Sequence, residues 1–282
     1  MPLKHLHGVD HVVVSVRDLD AAARTWAGLG FTVSPRGLHS PQMGTANHTI
    51  MLGEDYIELI GVVAETEHNA PTRALLKERE GIERTAFTTD DAAAGAAEVK
   101  ARGIALLGPM HFGRPVPLPG GGEGEAQFNV FRWPVSEAPA GMRIFACQHL
   151  TREMVWLPEL TRHANEAVGI LRVDLVANDP KAAAEHMSRL TDKPIEKHGA
   201  GWKVASGGNR ADFLFLDPTA FASLYPEDVR RGAVKDGGVA LVLGTRRLDA
   251  VKAAVPRTIV HDNAVSVPAA EATSVIVSFR QA

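Results

Sequence analysis

The stretch GVDHVVVSVRDLDAAARTWAGLGF, Gly8 to Phe31, returns in pattern as GILRVDLVANDPKAAAEHM, Gly169 to Met187. Gly8 matches Gly169, Val12 matches Val173, Val14 matches Leu175 and Asp18 matches Asp179. Ala21, Ala22 and Ala23 match Ala182, Ala183 and Ala184. A repeat of this kind restricts the fold more than any composition does. Each copy must be the same supersecondary unit, and a unit of roughly 50 residues is too small to bury a good core alone, so the copies must pair.

The first copy defines the unit. Val12, Val14 and Val16 alternate with His11, Val13 and Ser15, the two-residue period of a strand. Asp18 suits a helix N-cap, and Leu19, Ala22, Ala23 and Trp26 fall on one helical face. Gly28 or Gly30 ends the helix. Phe31 to Val33 reads as a second strand, and 46–52 and 55–62 as the third and fourth, with Gly53 in the turn. The order is β-α-β-β-β. The copy at Gly169 opens its helix with Asp179-Pro180 and continues into the strands GWKVAS and ADFLFLD. Two weaker copies fill the gaps. RTAFTTDDAAAGAAEVKARGI puts Phe87 in the place of Val14, Asp91 in that of Asp18 and Gly103 in that of Gly30. VALVLGTRRLDAVKAAV gives a strand, a Thr245 cap and a helix with Leu248, Val251 and Val255, and TSVIVSFR closes the chain. The reading is an α+β protein of four units, near 8–61, 82–150, 168–217 and 237–280. They form two halves, 1–150 and 151–282, the second opening with a linker over 151–168. A short charged helix is expected over 70–81, and an irregular Gly- and Pro-rich loop over 113–126.

The net charge of −3 argues against nucleic-acid and membrane partners. No run approaches the ~20 apolar residues of a membrane helix. MPLKHLHGVD lacks the apolar core of a signal peptide, so a cytoplasmic protein is expected. Cys147 is the only cysteine, which excludes an internal disulfide and a thiolate cluster. It lies in the apolar RIFAC and is read as a small hydrophobe, neither ligand nor nucleophile. GGGEGE lacks the lysine and the strand-to-helix setting of a phosphate loop.

Paired β-α-β-β-β units, the opening DHVVVSV, the fourth strand YIELI, and RIFACQH running on into LTREMVW together resemble the vicinal oxygen chelate superfamily. That superfamily includes glyoxalase I, extradiol dioxygenases and fosfomycin- or bleomycin-resistance proteins, and the likeness is nearest to its glyoxalase-like members. The resemblance implies that paired units close a cup around a divalent metal, Fe, Mn, Ni or Zn. Ligands would come from first and fourth strands. They map onto His11 and Glu58, with His149 (or its neighbour Gln148) as a third, and Glu58 would also carry a proton.

Arg84, or with a slip of one residue Glu83, stands at the matching place in unit two. An arginine there cannot ligate but suits an anionic substrate. His48, Arg114 and Trp156 are further substrate contacts. His111 and Arg114 flank the expected loop, a candidate lid, and Arg152, His163 and Asn165 are candidate walls. The plain alternatives are an ordinary hydrogen-bonded strand histidine at 11, exposed residues at 48 and 149, and a packing anchor at Trp156. Units three and four have Arg172, Asp217 and an apolar 239–243 where ligands would stand. The C-terminal half is therefore read as structural, as a homodimer surface, or as a degenerate cover of the site. The expected function is a glyoxalase-like metalloenzyme of isomerase or lyase type, acting on a small molecule through two oxygens bound to the metal. Ring-cleaving dioxygenation, and metal-free binding or sequestration of a small molecule, are the alternatives.

Overall fold

The computed structural model describes residues 3–118 and 121–282. Unit one runs β1 (Val9–Ser15), α1 (Leu19–Gly28), β2 (Gly37–Leu38), β3 (Thr45–Met51) and β4 (Tyr56–Val62). The Asp18 carboxylate accepts from Ala21 N at 2.9 Å and starts α1. Gly30, at φ 80°, takes the left-handed turn that ends it. The expected helix follows as α2 (Ala70–Glu78). Unit two runs β5 (Gly81–Thr88), α3 (Ala92–Ala101), β6 (Leu107–Pro117), β7 (Glu123–Arg132) and β8 (Arg143–His149). Short 3-10 turns at Arg152–Met154 and Pro158–Thr161 lead to the second half.

Unit three is β9 (Ala167–Val176), α4 (Pro180–Thr191), β10 (Ile195–His198), β11 (Gly201–Ala205) and β12 (Asp212–Leu216). Two helices, α5 (Pro218–Leu224) and α6 (Glu227–Arg230), follow it. Unit four is β13 (Gly237–Thr245), α7 (Leu248–Ala254), β14 (Ile259–His261), β15 (Ala264–Val267) and β16 (Ile276–Gln281).

The two halves build separate sheets of identical order, β2-β3-β4-β1-β5-β8-β7-β6 and β10-β11-β12-β9-β13-β16-β15-β14. In every unit the first strand lies parallel to the fourth, and the first strands of paired units meet antiparallel at the centre. The fold is thus α+β, four β-α-β-β-β units in two paired modules.

Four local expectations change. Phe31 to Val33 forms no strand, and Gly37–Leu38 supplies the edge instead. The Gly- and Pro-rich segment is mostly a hairpin, because β6 and β7 pair antiparallel from Leu107–Arg132 out to Pro117–Glu123. Of that segment, Pro119 and Gly120 lie outside the described residues. Thr245 does not cap α7: its hydroxyl donates to Asn165 O at 2.9 Å, and Arg247 holds the cap position. Finally, α5 and α6 carried no repeat signal.

One apolar core runs through both halves. Phe31 stacks near Phe279 with centroids 6.0 Å apart, Phe87 meets Phe213 at 5.8 Å, and Trp26 Nε1 donates to Thr273 Oγ1 at 3.0 Å. A Cβ on Gly238 would stand 2.6 Å from Ile82 Cβ, so a glycine is needed for β13 to approach β5 this closely. No helix among the described residues is long and apolar enough to cross a membrane.

The C-terminal sheet fills its own hollow. Phe221, Tyr225 and Val229 of the α5–α6 segment pack with Val176, Leu214, Leu216, Val239 and Ile276. Arg172, at the place of His11, is tied to Asp174 at 2.5 and 2.9 Å, and the Tyr225 hydroxyl donates to Asp174 at 2.6 Å. A buried ion pair with its remaining acceptor sites satisfied serves as a structural plug.

Candidate active site in the N-terminal cup

The N-terminal sheet curls until its edge strands β2 and β6 meet. Gly37 lies so near Arg114 that an added Cβ would stand 2.8 Å from its Nη1. The curl encloses a cavity of about 280 Å³. That volume is near the small end of ligand pockets, which span roughly 300–1,000 Å³. Because β1 and β4 are parallel neighbours with Val13 opposite Glu58 and His11 opposite Tyr56, alternate residues of both strands face this cavity.

His11 is held in place on three sides. Its Nδ1 lies 2.6 Å from Asp10 Oδ1, its ring stacks on Tyr56 with centroids 4.3 Å apart, and the Phe145 edge closes in at 5.3 Å. The Asp10 carboxylate only accepts, so Nδ1 carries a hydrogen, and in the neutral ring Nε2 presents its lone pair. That lone pair faces Glu58 Oε2 at 3.6 Å. Asn47 Nδ2 donates to the other oxygen, Oε1, at 2.6 Å. His39 Nε2 approaches Oε1 at 3.8 Å.

Asp10 is fully buried and also accepts from His149 Nε2 at 2.9 Å and Thr88 Oγ1 at 3.0 Å. Burial alone would raise its pKa. The charge of His149 and the hydrogen bonds of His11 and His149 outweigh burial and hold it well below the carboxylate range. At Glu58 burial is likewise the largest single influence, yet His11, His39, the Asn47 amide and Arg84 together pull the carboxyl below its usual value. Burial pushes His39 down to about 4, helped by Arg114 and Arg84 against Glu58, so its imidazole is neutral at pH 7.

The expected site residues fall into two groups. His11, Glu58, Arg84 and Arg114 all line the cavity. His149, Trp156 and His48 do not. His149 Nε2 is engaged by Asp10, so it reaches His11 through that carboxylate instead of standing beside His11 and Glu58 as a third donor. Trp156 packs behind it, 5.0 Å from the His149 ring and 5.4 Å from Tyr56, and donates to Gly53 O at 3.1 Å. His48 projects from the opposite face of β3 to Asn47, as strand alternation requires, and its Nδ1 binds Ser34 O at 2.7 Å.

The candidate walls lie elsewhere too. The exposed His111 bonds Asn129, Arg152 stacks on Trp156 at 3.5 Å, His163 ties Thr32 to Met51, and Asn165 holds Leu29 O.

The sequence reading missed Asp10, His39, Asn47, Arg132 and Trp133. Only Asp10 carried a signal, a charge beside His11 inside an apolar strand.

Two sets of side chains have the chemistry of a cation site. Asp10, Cys147 and His149 offer ligand atoms within 4.8 Å of one another. Asp10 is already occupied by three donors, however, and burial pushes the Cys147 thiol well above its usual value, away from the thiolate that metals need. The His11–Glu58 pair fits better. Two acceptors facing each other at 3.6 Å in a buried wall call for positive charge between them, and a carboxylate behind a histidine is the usual support of a metal-binding imidazole. Among the described residues unit two adds no anionic or imidazole donor to the lining, because β5 and β8 present Arg84, Arg143, Phe145 and the protonated thiol of Cys147 to the cavity.

The paired modules are those of the vicinal oxygen chelate superfamily. The chain belongs to the glyoxalase-like domain family, whose model matches residues 9–191. Among solved structures, a hypothetical protein from Staphylococcus aureus aligns with a TM-score of 0.71 at 14% identity, over 97% of this chain and 99% of that one. A mutant of 4-hydroxymandelate synthase from Streptomyces coelicolor aligns with a TM-score of 0.60 at 13% identity, over 98% of this chain and 92% of that one. A variant of methylmalonyl-CoA epimerase from Streptomyces coelicolor, at 21% identity and a TM-score of 0.39, covers 51% of this chain and 99% of its own. No curated protein matches the chain.

Proposed function

We propose that the N-terminal cup is the active site of an enzyme acting on a small molecule, with a divalent cation held between His11 Nε2 and Glu58. The observation that carries this reading is the 3.6 Å approach of two acceptors whose orientation is fixed from behind, by Asp10 on one side and Asn47 on the other. Such a cation supplies Lewis-acid polarisation of substrate oxygens when bound. The chain's own groups do the rest. Asp10 and the Tyr56 ring keep His11 from rotating, and Asn47 holds Glu58 Oε1 so that Oε2 faces the cavity. Glu58, ionised at neutral pH, is the base that takes and returns a proton, and neutral His39 can relay it at Nε2. Phe112, Phe128 and Phe145 exclude water from the reacting end. Proton transfer between neighbouring carbons, as in isomerase or lyase chemistry, is the reaction this set serves best.

Metal-free binding of a small molecule is the second reading. It is favoured by the arginines and phenylalanine of unit two, which leave a cation with protein donors on one side only.

Metal content measured after loading and dialysis separates the two. His11→Ala and Glu58→Ala should each lose the ion with the fold intact, while His186→Ala and His198→Ala keep it. His149→Ala should bind roughly 10–100-fold more weakly, the usual effect of losing an outer partner. Full occupancy in both His11→Ala and Glu58→Ala, or no metal in the wild type under any loading, leaves the metal-free reading.

A further inference from the structure

The cup carries more positive charge than its own carboxylates neutralise. Four arginines line it, Arg84, Arg114, Arg132 and Arg143, together with His68. The lining carboxylates are Glu58 and the exposed, rim-placed Glu67. Arg143 is accounted for by the buried Glu83, which also accepts from Thr72 at 2.9 Å and Ser15 at 2.5 Å. Arg84 reaches the same carboxylate at 3.4 Å, so Glu83 serves two guanidinium groups. Arg132 and Arg114 have no ion-pair partner among the described residues.

The excess is concentrated at one pole. Arg84 and Arg132 lie near enough that the charge of Arg84, after burial, pushes the Arg132 guanidinium down. His68, between them and Arg143, is lowered by burial and then by all three. Two donors at this pole are buried with no partner among the described residues, Arg132 Nε and the indole Nε1 of Trp133, a residue only 3% exposed. Buried donors are almost always satisfied, so a pair of orphans on neighbouring residues of a cavity wall marks the place of an acceptor.

The register then sets a distance. Arg84 pairs with Val13, and Val13 with Glu58, so the Arg84 backbone lies two strand spacings, about 10 Å along the sheet, from that of the reacting carboxylate, and Arg132 lies on β7 beyond it. Met110, Phe112, Phe128, Val130 and Phe145 give the cavity an apolar wall.

We propose that the substrate is a small organic oxyanion, a carboxylate or phosphate ester, whose charged head is clamped by Arg84, Arg132 and the Trp133 N–H while its apolar body lies on the β6–β7 wall and its other end meets His11 and Glu58. This rests on the cup being the active site and adds the class of molecule it accepts. Planar guanidinium groups suit such a head because they give paired N–H donors in fixed geometry. The anion-free protein holds unneutralised positive charge in low dielectric, and binding removes that repulsion.

The test uses the whole chain stripped of metal with a chelator, titrated with benzoate, phenyl phosphate and inorganic phosphate, and with benzyl alcohol and benzamide as neutral counterparts. The organic anions should bind at least tenfold tighter than the neutral compounds, less so at high salt. Whichever of benzoate and phenyl phosphate binds more tightly identifies the head. Arg132→Gln should weaken anion binding tenfold or more and leave the neutral compounds unchanged. It should also raise the melting temperature of the anion-free protein at low salt, because one of two crowded charges is gone. Trp133→Phe, which removes only the N–H, gives the same direction of change in affinity and covers the case of a misfolded Arg132→Gln. Equal binding of neutral and anionic probes, no anion binding, or unaltered anion affinity in a folded Arg132→Gln overturns the proposal. Metal content decides the active-site reading independently, because His11→Ala should lose the ion yet still bind the anion.

Discussion

Asp10 holds the cup together from behind, and replacing it isolates that role. Asp10→Asn keeps the shape and one acceptor oxygen, and Thr88 can turn its hydroxyl to suit the new amide. What disappears is the charge that His11 and His149 both address through Oδ1, at 2.6 and 2.9 Å. A hydrogen bond to a charged group contributes about 1.5–3 kcal/mol and a neutral one about 0.5–1.5, so two such bonds lose about 2 kcal/mol together. Near 2–4 °C per kcal/mol for a chain of this size, the melting temperature should fall by about 4–8 °C. Asp10→Ala leaves both imidazole N–H groups buried without an acceptor, at about 1–3 kcal/mol each, and should be worse.

The pH dependence follows from the sign of the shift. Because the two histidines overcome burial and depress the Asp10 pKa, its contribution is fully present above the unfolded value of about 3.9 and is lost as pH falls toward the lower native value. Urea unfolding of wild type and Asp10→Asn at pH 7 and pH 3 measures it, and the difference should narrow in acid. Equal stability at pH 7, or a gap that does not change down to pH 3, would refute the reasoning.

At the junction of the halves, Asp55 accepts from Ile170 N at 3.0 Å, and burial pushes its carboxyl up to about 7 against that bond and Arg210. The native state then keeps a proton that the unfolded chain releases above about 3.9, so stability should fall as pH rises from there through about 7 and level off beyond. Asp55→Asn should flatten that slope in urea midpoints taken at pH 5 and pH 8, and an unchanged slope counts against it. Cys147→Ala should keep its full metal content, since the thiol stays protonated in its apolar wall; loss of the ion would assign Cys147 to the ligand set. Tyr225→Phe removes the 2.6 Å bond to Asp174 and should cost about 1.5–3 kcal/mol, the value of a hydrogen bond to a charged group, in calorimetry. Metal content in the distant N-terminal cup should not change. Gly238→Ala should destabilise strongly, by forcing a Cβ to 2.6 Å from Ile82; a folded variant of wild-type melting temperature would show that the halves can part without cost.

The repeat made the unit legible because it is written in local terms. Asp18, Asp91 and Asp179 each start a helix, and alternating apolar residues before two of them, Val12 and Val14 in one copy and Val173 and Leu175 in another, make the first strands. His11 and Glu58 were legible for a related reason, since a polar residue inside an apolar strand must find a partner wherever the strand goes. The hairpin of β6 and β7 was hidden because glycine and proline weaken a strand locally, while pairing across Leu107–Pro117 and Glu123–Arg132 stabilises it anyway. The fate of His149 was decided by tertiary structure alone. Sequence puts it at the end of a strand, and only the approach of β1 and β8 on either side of β5 sets its Nε2 against Asp10. The plug of the second cup by Tyr225 and Asp174, the neutral His39 beside Glu58, and the crowding of Arg84 with Arg132 are likewise contacts between segments far apart in the chain. Local pattern determined which way each strand and helix faces. Which side chains share a cavity, and how much charge that cavity must hold, depended on the curl of the sheet.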